Sequence, residues 1–106
     1  GQFKRNNKTV FHPHTNMAKA ALNMMTRTVA ADYAKDRIYM NSVDTGLITN
    51  ENPYPLTTHL QDNKGFYPPL DNIDGMARIY DPIVRVINHN ELIYGQFLKD
   101  YESYSW

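Results

Sequence analysis

The residues with side chains suited to chemistry crowd toward the N-terminal third of this 106-residue sequence. Lys4, Arg5 and Lys8 stand close together in GQFKRNNKTVFH, a grouping that suits either a solvated surface or a phosphate site. His12 and His14 flank Pro13. Imidazole titrates near neutrality, so either ring could deliver a proton, and neutral imidazole is a good metal ligand. No third ligand follows by spacing, so no metal site is expected, and two surface histidines beside a helix start are the ordinary reading. The sequence contains no cysteine, which excludes disulfides, thiol catalysis and thiolate metal centres. Tyr54, Phe66 and Tyr67 fall in a long irregular stretch, where they could line a pocket or cover the loop's own small core.

These residues have to be positioned by a small framework. A chain this short makes one domain at most, or part of a larger one. Eleven basic and eleven acidic side chains cancel, so neither nucleic acid nor an anionic membrane is an expected partner. No run approaches the ~18 apolar residues of a membrane span, and no signal-like segment opens the sequence. A soluble, cytoplasmic protein is expected. Pro13 suits the first position of a helix, and the helix-forming run MAKAALNMMTRTVAADYAK carries it to Lys35. Two apolar stripes run along this helix. One is Met17, Ala20, Ala21, Met24, Thr28 and Ala31; the other is Ala18, Leu22, Met25, Val29 and Tyr33. Two stripes predict a helix that packs on a sheet with one face and meets more protein with another. Its methionines are core or interface filler.

Ile38–Val43 reads as a strand, bounded by Asp36-Arg37 and Asp44-Thr45-Gly46. The segment 44–72 holds four prolines, shows no period and is longer than most loops of compact domains, with room for a short helix over Leu56–Asp62. A second helix is predicted over Ile73–Ile87, with Met76, Ile79, Tyr80, Ile83 and Ile87 on one face and a kink or break at Pro82. Asn88–Glu91 is a polar turn, and Leu92–Leu98 a second strand. Helix, strand, long loop, helix, strand is the order of a parallel βαβ unit with a helix in front. Two parallel strands make no stable sheet, because parallel sheets are built from several strands and covered on both faces. The chain is therefore expected to be a single partial α/β domain, residues 1–106.

The string MAKAALNMMTRTVAADYAKDRIYMNSVDTGLIT resembles the short-chain dehydrogenase/reductase family across its catalytic helix and following strand. The pieces that carry the likeness are Lys19-Ala20-Ala21-Leu22, Thr26-Arg27, Asp32-Tyr33-Ala34, Ile38 to Asn41, Gly46 and Thr49. DNIDGMARIYDPIV followed by GQFLKDYESYSW is similar to the family's last helix and strand. The resemblance covers residues 10–106 and implies the C-terminal part of a doubly wound parallel-sheet (Rossmann-like) fold. It implies an oxidoreductase that uses NAD or NADP and, at full length, a homo-oligomer joined through helix 13–35. In the family a tyrosine stands four residues before a lysine, and a spacing of four sets both on one helix face. That lysine binds the cofactor ribose and lowers the tyrosine pKa, so that the phenol protonates a carbonyl oxygen as hydride arrives. Lys19 matches the lysine. Thr15 stands where the tyrosine should be, and an aliphatic alcohol is far too weak an acid to replace a tuned phenol.

Two further positions follow from the same likeness. Gly46 matches the glycine of a Pro-Gly pair and allows a sharp turn where a ligand would approach. Thr49 matches a threonine that meets the nicotinamide amide or the phosphates, just beyond the carboxyl end of a strand. Against this, the sequence contains no glycine-rich pyrophosphate turn, no residue that chooses between the two cofactors, and neither the family's catalytic serine nor its asparagine. The expectation is a dehydrogenase/reductase-like segment that is not catalytic as this chain alone. The competing expectation is a non-catalytic structural or interaction subunit with a degenerate fold of the same kind.

Overall fold

The computed structural model describes residues 8–48 and 69–106. Helix α1 spans Pro13–Ala34 and strand β1 Ser42–Asp44; helix α2 follows at Asn72–His89, then strands β2 (Phe97–Lys99) and β3 (Glu102–Tyr104). The sheet order is β1-β2-β3. β1 and β2 are parallel, with Ser42, Val43 and Asp44 opposite Phe97, Leu98 and Lys99. β2 and β3 are antiparallel. Among the described residues the chain is thus a mixed α/β structure with two helices and a small sheet. The expected short helix at Leu56–Asp62 lies outside the described residues, as do Lys4, Arg5, Tyr54, Phe66 and Tyr67.

α1 begins as the sequence predicts, with Pro13 in its first turn. It ends where Arg37 takes a positive φ of 62°, and Ile38 N–H reaches back to the Tyr33 carbonyl while Arg37 N–H bonds Ala34. This is a helix stop in the form glycine usually provides. The first strand is shorter than the predicted Ile38–Val43 and lies further along. Before Ser42 the extended chain is held differently: Gly95 N–H donates to the Met40 carbonyl, while the Asn41 amide donates to Ile93 O and accepts from Gln96 N–H. One amide side chain does the work of a ladder rung.

α2 is continuous through Pro82, where a kink or break was expected. Its ends are firmly set, by a reciprocal Asp71–Asp74 capping box at one end and Asn90 in the left-handed region at the other. The proline is buried, and that burial works against the cost of the hydrogen bond it removes. The second strand is Phe97–Lys99 in place of Leu92–Leu98, and β3 was not anticipated at all. β2 and β3 are joined by Asp100 and Tyr101, both at positive φ (47° and 69°). Such a turn normally calls for Asn-Gly or Asp-Gly, and a tyrosine there costs roughly 1–2 kcal/mol.

Arg78 holds this strained turn. Its side chain is only 13% exposed, and its Nε and Nη2 both donate to Asp100 Oδ1, at 3.1 and 3.0 Å. Its guanidinium lies 5.1 Å from the centre of the Tyr101 ring, and Nη1 donates to the Asp74 carbonyl. Arg85, one helical stripe further on, donates to the Tyr101 carbonyl. Among the described residues the buried apolar set is small: Ala30, Phe97 and Leu98, with Phe97 stacked on Trp106. The α2–hairpin arginine contacts therefore carry more of the fold than in a domain with a large core. Arg78→Ala is expected to cost about 1–3 kcal/mol in urea unfolding, the worth of hydrogen bonds to a charged group. Arg78→Lys should recover less than half, because an ammonium lacks the planar fork; full recovery would mean that only the charge matters.

Candidate functional site

The position of Lys19 follows from how α1 is seated on the sheet. Thr26 is buried; its hydroxyl donates to the Leu22 carbonyl and accepts from Ser42 Oγ at 3.0 Å. One turn further along, the Ala30 methyl lies against Gly95, whose own Cβ would stand 3.5 Å from it. Gly95 is bonded to Met40, so Ala30 sits over the start of this region and Thr26 over Ser42. The helix therefore runs opposite in direction to β1. Lys19 is seven residues, or about 10 Å of helix, beyond Thr26 on the same face. Two strand residues beyond Ser42 cover about 7 Å. Lys19 consequently lies over the carboxyl end of β1, near Thr45 and Gly46.

The shape of the surface agrees. Lys19, Leu22, Asn23, Met25 and Thr26 of α1 line an open cleft of about 1120 Å³, together with Met40 to Ile48, Pro69, Leu70, Arg78, Phe97, Lys99 and Asp100. Strand alternation and the parallel register place Ser42, Asp44, Phe97 and Lys99 on the α1 side of the sheet. Lys19, Asp44 and Lys99 thus share one face at the strand ends. Asp44 Oδ1 accepts the Gly46 N–H at 2.9 Å. Among the described residues its Oδ2 is buried with no hydrogen-bond donor. A buried carboxylate oxygen left unpaired is costly, so this end of β1 is a place that wants a donor from elsewhere.

The two apolar stripes predicted along α1 do not form its seat. The sheet-facing line is polar and small, running through Lys19, Asn23, Thr26 and Ala30, while Met17, Leu22, Met24 and Met25 are exposed. Small residues win that face because a hydroxyl pair and a glycine bring helix and sheet too close for methionine. Sequence reasoning missed Thr26, Ser42, Asn41 and Asp44 as organising residues. Their only signal was polar side chains where an apolar periodicity was expected.

Thr15 lies one turn before Lys19, half-buried, and is not part of the cleft lining. His12 is the residue before α1, at a positive φ of 59°, and both His12 and His14 are exposed. No group of three His, Asp or Glu residues that could hold a metal occurs among the described residues. Thr49 lies outside the described residues. Gly46 does adopt positive φ, 85°, at the turn after β1. The space a Cβ would fill there is taken by Leu70 Cδ1.

No protein-family model matches this chain. Over 82 aligned residues it is 34% identical to an uncharacterized protein of Acanthamoeba polyphaga mimivirus, across 72% of this chain and 17% of that protein. The chain thus spans about a sixth of the length of the relative it matches. No solved structure matches. No helix among the described residues is long and apolar enough to cross a membrane.

The crowding of Gly46 by Leu70 makes a direct test of what this glycine is for. Gly46→Ala should destabilise by about 2–4 kcal/mol, combining positive-φ strain with overpacking. Combined with Leu70→Ala, its cost should fall short of the sum of the two single costs by on the order of 1 kcal/mol or more. Strict additivity in denaturant unfolding would show that the glycine is not there for Leu70.

Proposed function

We propose that this chain is the lysine-bearing, C-terminal part of a Rossmann-like fold in a short-chain dehydrogenase/reductase-like protein, an oxidoreductase that uses NAD or NADP. As this chain alone it is not catalytic. The observation that supports the reading is the seat of α1, which sets Lys19 over the carboxyl end of β1 in a broad cleft. In open α/β sheets that end of the strands is where ligands bind. The cleft also runs beside β1, whose second edge has no strand among the described residues. Further parallel strands added there would complete the sheet and supply the pyrophosphate turn absent from this sequence.

A nicotinamide cofactor fits the residues present only at one end. On this reading Lys19 would hold the ribose, and Asp44 Oδ2, without a hydrogen-bond partner among the described residues, would accept a donor brought into the cleft. Gly46, with Leu70 filling the space behind it, would contribute its turn, and Thr49 is carried over from the resemblance alone. The cofactor would supply hydride. This chain's residues would orient its nicotinamide end, and none of them matches the tuned phenol that protonates the substrate oxygen. Thr15 occupies that position without the acidity. The outer face of α1, with Met17 and Met24 exposed, is the surface through which the full-length protein associates.

The alternative, a structural or interaction subunit with a degenerate fold, draws support from the lost tyrosine and the many exposed apolar residues. Two experiments on the full-length protein separate the readings. Lys19→Ala should weaken NAD or NADP binding about tenfold or more in a calorimetric titration, as expected for the loss of a hydrogen bond to a charged group. Unchanged affinity, or no binding by the unmodified protein, rejects the oxidoreductase reading. Thr15→Tyr should raise carbonyl reduction by roughly 10²-fold or more, the usual worth of a placed general acid. A panel of aldehydes and ketones without any gain would mean that the site has decayed beyond that one position.

A further inference from the structure

Five ionisable side chains line the Lys19 cleft: Lys19, Asp44, Arg78, Lys99 and Asp100. Arg78 commits Nε and Nη2 to Asp100 Oδ1 and Nη1 to the Asp74 carbonyl, so this cation and this acid answer each other. Asp44 Oδ1 holds the Gly46 N–H. Lys99 differs from these. It sits half-buried at the carboxyl end of β2, and among the described residues its ammonium has neither a hydrogen bond nor an ion pair. The parallel register sets its Cα opposite that of Asp44, on the α1 side of the sheet, yet the two side chains do not pair. An ammonium that loses part of its hydration without gaining a partner is costly, and a cleft with more cations than acids draws anions.

We propose that Lys99 is a specificity-determining residue, and that the second reactant in the Lys19 cleft is a carbonyl compound bearing an anionic group, a carboxylate or a phosphate. The assignment rests on the oxidoreductase reading above and names the substrate class of that same site. Place is the first argument. On that reading the dinucleotide comes with strands beyond the other edge of β1, whereas Lys99 stands on β2, with β1 between them. Its charge is on the side left for the other reactant. Charge is the second argument. With Arg78 tied to Asp100 and Lys19 given to the ribose, Lys99 is the cation of the lining that is left to meet an acid. Asp44 does not take that part, since its Oδ1 serves the turn and its Oδ2 is buried without a hydrogen bond. Chemistry is the third. A lysine ammonium is a compact charge with three rotatable donors, so it accepts carboxylate and phosphate oxygens without the planar match that arginine demands. A neutral analogue leaves that ammonium unpaired while an acid satisfies it, which is how a polar group in a cleft discriminates.

The test measures binding to the full-length protein of two matched pairs, levulinate against levulinamide and dihydroxyacetone phosphate against dihydroxyacetone. The acid of at least one pair should bind about tenfold or more tightly than its neutral partner, and the pair with the larger ratio tells carboxylate from phosphate. Lys99→Gln should bring that ratio close to one, and Lys99→Arg should keep most of it. In the unmodified protein, acetylation of Lys99, read from its peptide by mass spectrometry, should slow with the acid and not with its neutral partner; this decides the matter should the variants fail to fold. Equal binding within both pairs overturns the proposal, as does binding of none of the four compounds. So does a ratio that survives in folded Lys99→Gln, or an acetylation rate the acid leaves unchanged. A nucleotide titration run alongside keeps the two readings apart. Nucleotide binding without the acid preference rejects the role of Lys99 alone, whereas a Lys99-dependent preference without nucleotide binding rejects the oxidoreductase and leaves an acid-binding cleft.

Discussion

Thr26 and Ser42 share a hydroxyl–hydroxyl hydrogen bond where α1 crosses β1, and a turn further on the Ala30 methyl rests beside a residue that has no side chain, Gly95. These two contacts fix the helix on the sheet in both rotation and translation. A rotation of one residue, about 100°, would bury Met25 or Arg27 and lift the hydroxyl from its partner. A slide of one turn would move Lys19 by about 5 Å, away from the end of the strand. The location of the lysine is thus set two turns away from it, by small residues whose value lies in permitting close approach.

The other half of the framework is organised by charge. Two arginines on α2 reach the β2–β3 hairpin and hold two successive residues at positive φ, neither of them glycine. The hairpin sets β3 along one side of β2, with β1 along the other. The same arrangement turns the α2 charges inward and its isoleucines outward. One choice, anchoring a strained turn with arginine, therefore bears on which face of the helix remains apolar.

Much of this was legible in the sequence, and the misses have identifiable physical causes. Both helices were visible within two residues at each end, because Pro13 and the alanine-rich run, and then the isoleucine periodicity of Ile73–Ile87, are strong local signals. The parallel pairing of the two main strands was also visible. Strand bounds were not, because Asn41 replaces ladder hydrogen bonds with its side chain and no propensity marks that substitution. The β2–β3 hairpin escaped because Asp100-Tyr101 lacks the glycine that a two-residue turn normally advertises; the stabilising partner, Arg78, is 22 residues away. Lys19 was nameable from its string, but the orphaned oxygen of Asp44 depends on burial, which only packing reveals.

Several unsatisfied features of this chain meet at one cleft. Among the described residues, the edge of β1 without a neighbouring strand, the buried Asp44 Oδ2 without a hydrogen-bond partner, and exposed Leu22 and Met25 all border the cleft that Lys19 lines. A strand edge needs backbone groups, a carboxylate needs a donor, and a leucine and a methionine need apolar cover. A small molecule could answer the second need but hardly the first. On the reading proposed above, a second α/β portion laid along β1 would answer the first and third, and would turn an open cleft into an enclosed site in which a ligand donor meets Asp44. On that view the cleft is a seam between two parts of one fold, and Lys19 faces a ligand only once the seam is closed.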